Sequence, residues 1–398
     1  MSKSNRKKFS FKNIIVSLVF FIILSVIAYF IYPIIEEILH EHEFIEGKCE
    51  CGEVDPNYVP PHVHEFIEGK CECGEIDTNY EVIESEDLSI HFLELGNKYT
   101  GDCIYIKAGD TDILIDAGSR GNSADDITNY INQYVEDNTL EYVIATHAHQ
   151  DHIAGFVGTS QIKGIFEQFV CEVIIDFPMT EATSKIYENY VTLREEEVKL
   201  GAKHYTALEC YNNINGASRV IELADNVELE ILYNYYYEHD ASNENDYSVC
   251  LMINQGDKHF LFTGDLEEHG EEKLVEYNNL PKVEVLKAGH HGSYTATTDV
   301  LLETVDPEIV CVCCCCGSDE YTKDINNMFP SQAFISRVSK YTDKIYVTSI
   351  VADNEEGYTS LNGNINIISN ASGIQVVCSN NNTIFKDTVW FKENRKWE

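Results

Sequence analysis

From Leu88 onward, short β-branched and aromatic runs alternate with polar breaks. "LSIHFLEL", "DCIYIKAG" and "DILIDAG" predict three strands in a meander, each stopped by Gly, Asp or a polar residue. "SADDITNYINQYVEDN" spaces its apolar residues at helical intervals, with Ser123 as the expected cap. "LEYVIAT" predicts a buried strand that runs straight into "HAHQDH". Strand and helix then alternate: "CEVIIDF" a strand, "EATSKIYENYVTLREEEVKLG" a helix, and "VELEILYNYYY", "YSVCLMIN" and "KHFLFTGD" a second set of strands. "LEEHGEEKLVEY" predicts a helix and "KVEVLKAGHHGS" a strand that ends in two histidines. Such alternation predicts an α/β layer protein over 84–398.

The N-terminal pattern is different. Asn13 to Ile35 carries no charged residue, and a helix needs about 20 apolar residues to cross a bilayer. Basic residues precede it (Lys3, Arg6, Lys7, Lys8, Lys12) and Glu36 and Glu37 follow. That bias predicts a cytoplasmic stretch at 1–12, a single-pass signal anchor at 13–35 and an extracellular body at the cell membrane. A cleaved signal peptide is the competing reading, but "YPIIEEILHEH" makes a poor cleavage site.

Between the anchor and the α/β pattern, residues 36–83 hold a duplication. "HEHEFIEGKCECGEVDPNY" (40–58) recurs as "HVHEFIEGKCECGEIDTNY" (62–80). His40, His42, Cys49 and Cys51 form one set, and His62, His64, Cys71 and Cys73 the other. Two imidazoles and two thiolates per copy suit structural zinc, with Gly47 and Gly69 allowing the turn between the halves. Extracellular disulfides, or a plain acidic stalk, are the other readings of the same residues. The segment resembles short His/Cys repeats of surface proteins in anaerobic Gram-positive bacteria.

Composition narrows the partners. Of 398 residues, 44% are hydrophobic and 24% charged, which is ordinary for globular chains of one large or two medium domains. The formal net charge of -39 is not ordinary, and the basic N-terminus leaves the body still more acidic. Such a body repels polyanions at long range, so a nucleic-acid partner needs metal ions or a local basic groove. No protein partner follows from the sequence.

Ligand-type side chains gather where the expected strands end. His147, His149, Asp151 and His152 follow "LEYVIAT", Asp265 follows "FLFTG", His290 follows "VEVLKAG", and Asp116 closes "DILID". Open sheets place their sites at that edge, and mixed imidazole and carboxylate donors suit a borderline divalent cation. The H-x-H-x-D-H spacing in a tight loop allows two metals a few ångströms apart, with Asp265 able to bridge them through its two oxygens.

These stretches resemble the metallo-β-lactamase superfamily, and more finely the soluble domain of ComEC-type DNA-uptake proteins. The likeness runs over about 88–380 and rests on "LIDAG", "THAHQDH", "NENDYSVCLMINQGDKHFLFTGDLE", "VLKAGHHGS" and "LNGNINIISNASG". The resemblance implies an αββα sandwich with a dinuclear zinc or manganese centre. It implies His147 and His149 on one metal, Asp151, His152 and His290 on the other, Asp265 between them, and Asp116 orienting a ligand. His291 is the less favoured of the final pair. Two ions would lower the pKa of a shared water for attack on phosphorus or a carbonyl carbon. Asp151, His291 and Ser293 are the candidates for direct roles in that chemistry, the last two as donors to the developing charge. Two departures stand out. The region that supplies a further histidine in many members here offers His239, with Asn245 and Ser248 as candidate extra ligands. DNA-uptake proteins also carry many membrane spans, and one is read here.

"VCVCCCCG" predicts a buried strand, with Cys311, Cys313 and Cys315 on one face and Cys314 and Cys316 on the other. Packing is the expected role, since reduced cysteine behaves as a small hydrophobe; a thiolate cluster is the alternative. Three functions remain open. They are a membrane-anchored metallo-hydrolase of phosphodiesters (nucleotides or DNA), a hydrolase of small esters, thioesters or lactams, and a non-catalytic metal-binding surface module.

Overall fold

The computed structural model describes residues 87–352 and 357–397, with Ile22, Ser25, Val26, Tyr29 and Lys48 as isolated positions. The expected anchor at 13–35 lies outside the described residues apart from four of those positions, and so do all eight repeat ligands. No helix among the described residues is long and apolar enough to cross a membrane. The chain divides into Met1–Val82 and Ile83–Glu398, and the second unit holds the fold below.

Sixteen strands among the described residues form two mixed sheets of eight. In the first half of the chain they are β1 (Leu88–Phe92), β2 (Ile104–Ala108), β3 (Thr111–Ile115), β4 (Thr139–Ile144), β5 (Val170–Asp176), β6 (Lys203–Thr206), β7 (Val220–Ala224) and β8 (Val227–Ile231). The rest are β9 (Leu251–Gln255), β10 (Lys258–Phe262), β11 (Val285–Lys287), β12 (Ile309–Cys316), β13 (Ile345–Val351), β14 (Tyr358–Ser360), β15 (Ile365–Asn370) and β16 (Gly373–Cys378). One sheet runs β16-β15-β1-β2-β3-β4-β5-β6 and the other β14-β13-β12-β11-β10-β9-β8-β7. Both follow one plan. β1–β3 form the expected antiparallel meander, and β3 to β6 are then parallel. Likewise β7 to β10 are antiparallel and β10 to β13 parallel.

The period-two pattern decides the layers. Leu229, Ile253, Phe260, Val285, Cys311 and Cys313 of the second sheet join Ile90, Ile106, Ile113 and Val143 of the first in one apolar core. Phe92 and Phe262 stack across it, centroids 6.2 Å apart. The alternate residues Met252, Leu261, Leu286, Val310, Val312, Cys314 and Cys316 face Leu274, Leu301 and Phe334 of the helices Glu268–Tyr277, Asp299–Val305 and Gln332–Val338. Ile127, Ile153, Phe156 and Tyr190 cover the first sheet from the helices Ser123–Ile131, Gln150–Val157 and Lys185–Leu200. Two sheets between helices are what the α/β reading requires.

Three local expectations are corrected. Ser123 does not cap its helix but begins it; the buried hydroxyl donates to Leu95 O (3.2 Å) instead. "VELEILYNYYY" is not one strand. Buried Asn234 donates to the carbonyls of Asp246 (2.7 Å) and Ser248 (2.9 Å) and accepts from Tyr236 N–H (3.0 Å), so a 3₁₀ turn replaces the strand end. In β12 the pairing shifts by a residue between Val312 and Cys315, which leaves Cys315 beside the Ser349 hydroxyl and apart from the core shared by Cys311 and Cys313. Burial pushes all five thiols up, which keeps them neutral and fits the packing role.

Candidate metal centre

The carboxyl ends of β3, β4, β10 and β11 meet at one edge, and their following residues turn inward there. Asp116 follows β3 with φ 57, a left-handed backbone that non-glycine residues seldom adopt. After β4, His149 is extended (φ -71, ψ 149) and starts the helix Gln150–Val157, so Asp151 and His152 fall in its first turn. The helix N-terminus favours the Asp151 carboxylate. Past β10, Gly264 (φ 55) makes the turn that aims Asp265 inward; a Cβ there would lie 2.8 Å from Ser248 Oγ. Past β11, His290 (φ 43) and His291 (φ 54) are both left-handed.

Four buried side chains converge. Asp265 Oδ2 lies 3.1 Å from His152 Nε2 and 3.1 Å from His291 Nε2, and Asp151 Oδ2 lies 3.5 Å from His291 Nε2. Both Nε2 atoms are buried without a hydrogen-bond partner. The opposite ring nitrogens are engaged: His152 Nδ1 with Asp116 Oδ2 (2.7 Å) and His291 Nδ1 with the Cys313 carbonyl (3.0 Å). A carbonyl only accepts, so His291 Nδ1 carries the hydrogen and, in the neutral ring, Nε2 carries the lone pair. One donor atom from each of the four side chains falls within 4.8 Å of all the others. Two imidazoles and two carboxylates in that space fit one divalent ion of the zinc or manganese type.

The charges call for a cation. Burial lowers the His152 and His291 imidazoles, but the carboxylates together outweigh it, Asp265 and Asp116 at His152 and Asp265 and Asp102 at His291, so both stand well above the ordinary histidine range. Burial raises Asp265 and Asp151, but His152 and His291 hold both below the usual carboxylate range, helped at Asp265 by Lys287. Asp116 is pushed up by burial, despite His152 and the Thr146 N–H (2.7 Å) and hydroxyl (2.7 Å) that donate to it.

Sequence reasoning missed two charged residues. Lys287 is 1% exposed and reaches Gly264 O (2.9 Å), Asp265 Oδ1 (3.3 Å) and Asp102 Oδ2. Asp102, also buried, lies 3.0 Å from His291 Nδ1. Asp102 and Lys287 come from different sheets, so the pair ties the two together beneath the donor cluster. A signal was present: a lysine inside the otherwise apolar "VEVLKAG" is costly unless paired.

The remaining candidates are placed as follows. His147 is buried, and its Nε2 lies 3.0 Å from Nδ1 of the exposed His149, so the two rings pair with each other beside the cluster. Burial and His152 hold His147 well below the ordinary histidine range. The order expected for the final pair is reversed. His290 turns to Glu267 (Nδ1–Oε1 3.0 Å), and its Nε2 stays 4.0 Å from Asp265 Oδ2. Ser293 bonds Thr295 Oγ1 (2.9 Å) within its own loop. Ser248 Oγ accepts the Asp265 N–H (3.1 Å) and so positions that aspartate. Asn245 donates to Glu267 Oε1 (3.1 Å), and its Oδ1 is buried without a partner. His239 is exposed and stacks on Tyr235, centroids 3.8 Å apart. Two donor groups converge among the described residues, and they share His152. The second, Asp102, Asp116 and His152, forms the layer behind the first.

A loop after β12 covers the cluster. Phe329 packs against the rings of His290 (5.6 Å) and His291 (5.8 Å), and the Tyr321 hydroxyl donates to Asp151 Oδ2 (2.7 Å). A large surface cavity, about 910 Å³, lies elsewhere, at the opposite ends of β5 and β6 between Phe169, Val170, Leu200 and Lys203. The chemistry is not there.

Residues 96–165, which include Asp102, Asp116 and all of His147–His152, match the family described as the metallo-beta-lactamase superfamily. Three curated proteins are similar over parts of the chain. Recombination protein 2 of Haemophilus influenzae is 29% identical over 27% of this chain and 12% of its own length. ComE operon protein 3 of Bacillus subtilis is 33% identical over 17% and 9%, and competence protein ComA of Neisseria gonorrhoeae 32% identical over 32% and 17%. The chain thus spans under a fifth of each relative it matches. Among solved structures, the metallo-beta-lactamase fold protein YhfI from Bacillus subtilis aligns over 67% of this chain and 96% of its own, at 10% identity and TM-score 0.38. The 96–165 segment is thus similar to the metallo-beta-lactamase superfamily, and the sequence likeness of the chain runs to bacterial competence proteins.

Proposed function

We propose that the protein is a metal-dependent hydrolase of phosphodiesters, held at the cell surface by its N-terminal apolar stretch. One observation carries the metal reading: two buried imidazole Nε2 atoms, neither hydrogen-bonded, lie 3.1 Å from the same oxygen of Asp265. Nucleic-acid chemistry is supported by relatives named for recombination and competence. The net charge of -39 favours nucleotides or short strands over long polyanions.

Asp151, His152, Asp265 and His291 would hold the ion, zinc or manganese. A bound divalent ion supplies Lewis acidity and lowers the pKa of a water at neutral pH. The chain's own residues do the rest. Asp116 fixes the His152 ring through Nδ1, and Thr146 fixes Asp116. The Cys313 carbonyl fixes His291, and Lys287 balances Asp102 and Asp265. Supporting groups of this kind set ligand orientation, and their loss costs about 10–100-fold in metal affinity or activity.

The test is cleavage of bis(p-nitrophenyl) phosphate by the full chain with zinc, manganese or no added metal, against His291→Ala. Metal-dependent cleavage at least about 100-fold weaker in the variant is expected, as the variant removes a ligand rather than a support. Equal rates in both proteins refute the site. Turnover of p-nitrophenyl acetate without phosphodiester cleavage would move the substrate to esters.

A further inference from the structure

Tyr321 belongs to two environments at once. It is 54% exposed, yet its hydroxyl donates to Asp151 Oδ2 at 2.7 Å, a donor atom of the buried cluster. The loop that carries it is pinned on both sides. Glu320 accepts the Thr100 N–H (2.9 Å) and pairs with Arg120 (2.5 Å), while the Phe329 ring lies 5.5 Å from the Tyr321 ring. Arg120 in turn sits over the ring of Tyr99, 4.0 Å from its centroid, and Tyr99 is 38% exposed. Two exposed aromatic rings, linked through Arg120 and Glu320, therefore lie on the side from which Tyr321 reaches the cluster.

A phenol on a carboxylate oxygen uses the lone pair that a cation needs. Were a cation to take that oxygen, the Tyr321 O–H would be freed beside its exposed ring, with its hydrogen available to a substrate oxygen. The exposed ring beside it offers a flat apolar face, and stacking on such faces tolerates any base. The surrounding protein is acidic, so an anionic substrate gains little from general charge and depends on such local contacts.

We propose that Tyr321 is the substrate-binding residue of this centre, donating its O–H to a phosphate oxygen of a nucleotide and stacking its ring on the base. The substrate class rests on the phosphodiester reading above; the residue's role is tested apart from it.

Manganese(II), and then thymidine monophosphate onto the manganese-loaded protein, are titrated calorimetrically into the full chain as wild type, Tyr321→Phe and Tyr321→Leu. Manganese is used because the thiol-rich repeats favour softer ions. All three proteins should bind manganese within about threefold of one another, since Asp151 keeps both oxygens. Nucleotide binding should weaken about tenfold in Tyr321→Phe, the loss of one hydrogen bond to a charged group, and about tenfold further in Tyr321→Leu, the loss of the ring. A tenfold or greater loss of manganese affinity in Tyr321→Phe overturns the proposal, because the hydroxyl would then be holding Asp151 as a ligand. Equal nucleotide binding by all three proteins, or none by wild type, overturns it too, and equal losses in the two variants remove the ring's part. Tyrosine-dependent nucleotide binding without phosphodiester cleavage would keep this role and discard the hydrolase reading.

Discussion

Replacing Lys287 with methionine isolates the charge at the base of the centre. Methionine fills similar space with an apolar chain, so the packing of β11 is kept. The ammonium it removes is 1% exposed and contacts Asp265 Oδ1 at 3.3 Å and Gly264 O at 2.9 Å, besides its pair with Asp102. Breaking a buried pair from one side costs about 3–5 kcal/mol, because the partner charge stays buried. His152 and His291 share the compensation of these carboxylates, which places the expected loss at the lower end, about 3 kcal/mol. At ~2–4 °C per kcal/mol for a domain of this size, the metal-free melting temperature should fall by about 6–12 °C at neutral pH. The sign with pH is fixed as well. Asp102 and Asp265 are held below the ordinary carboxylate range in the folded protein, Lys287 helping to overcome the burial that raises them. That stabilisation is full above the unfolded carboxylate pKa, near 4, and is lost as pH falls through the folded values. The gap between wild type and variant should therefore be widest near neutrality and narrow in acid. Added divalent metal should restore part of the loss by supplying the missing charge. Thermal melts across pH, with and without manganese, read all three effects. A neutral-pH shift under about 2 °C, well short of the cost of a broken buried pair, would refute the reasoning, and so would a gap that widens in acid.

Other residues give separate tests. Asp116→Asn keeps the shape but cannot accept from Thr146 N–H, Thr146 Oγ1 and His152 Nδ1 as a carboxylate does; manganese affinity should fall about 10–100-fold by calorimetry, and an unchanged value would deny Asp116 its orienting role. At Gly118 a Cβ would lie 1.5 Å from the Asp151 carbonyl oxygen, so Gly118→Ala should cost over about 2 kcal/mol in urea unfolding and weaken metal binding with it; a wild-type midpoint would refute this. Burial pulls His91 down to about 4, so its neutral form stabilises the fold above the unfolded value near 6.5. That stabilisation, about 3 kcal/mol, should be lost as pH falls from 6.5 to 4, and His91→Phe should flatten the profile over that window. An unchanged slope in the variant would assign the acid sensitivity to other groups.

Much of this centre is local in sequence and therefore legible there. His147, His149, Asp151 and His152 share one short loop after an apolar strand, and Asp116 and Asp265 each close another. What was not legible depends on distance or on backbone. Whether His290 or His291 enters depends on two consecutive left-handed residues and on the Cys313 carbonyl across the sheet, neither of which spacing reveals. Asp102 and Lys287 are single charges far apart in sequence, and only the stacking of the two sheets makes them a pair. The end of β8 is set by the amide of Asn234, bonded to backbone that comes a dozen residues later. Tyr321 looks like any loop tyrosine until Asp151 is seen beneath it.

The donors also divide by origin. Asp151 and His152 extend from the first sheet, Asp265 and His291 from the second, and between the sheets lies a largely apolar core crossed by the Asp102–Lys287 pair and by the Gln255–Ser369 hydrogen bond. An ion in that position is a clasp across an internal seam. Stripping it should loosen the protein along one plane while leaving each sheet's own ladder intact. Amide hydrogen exchange would then speed up first along the lips of the seam, at the ends of β4 and β10, and last in the strand centres. In that sense the centre is also a mechanical part, and the grip between the protein's two halves would follow the supply of metal around it.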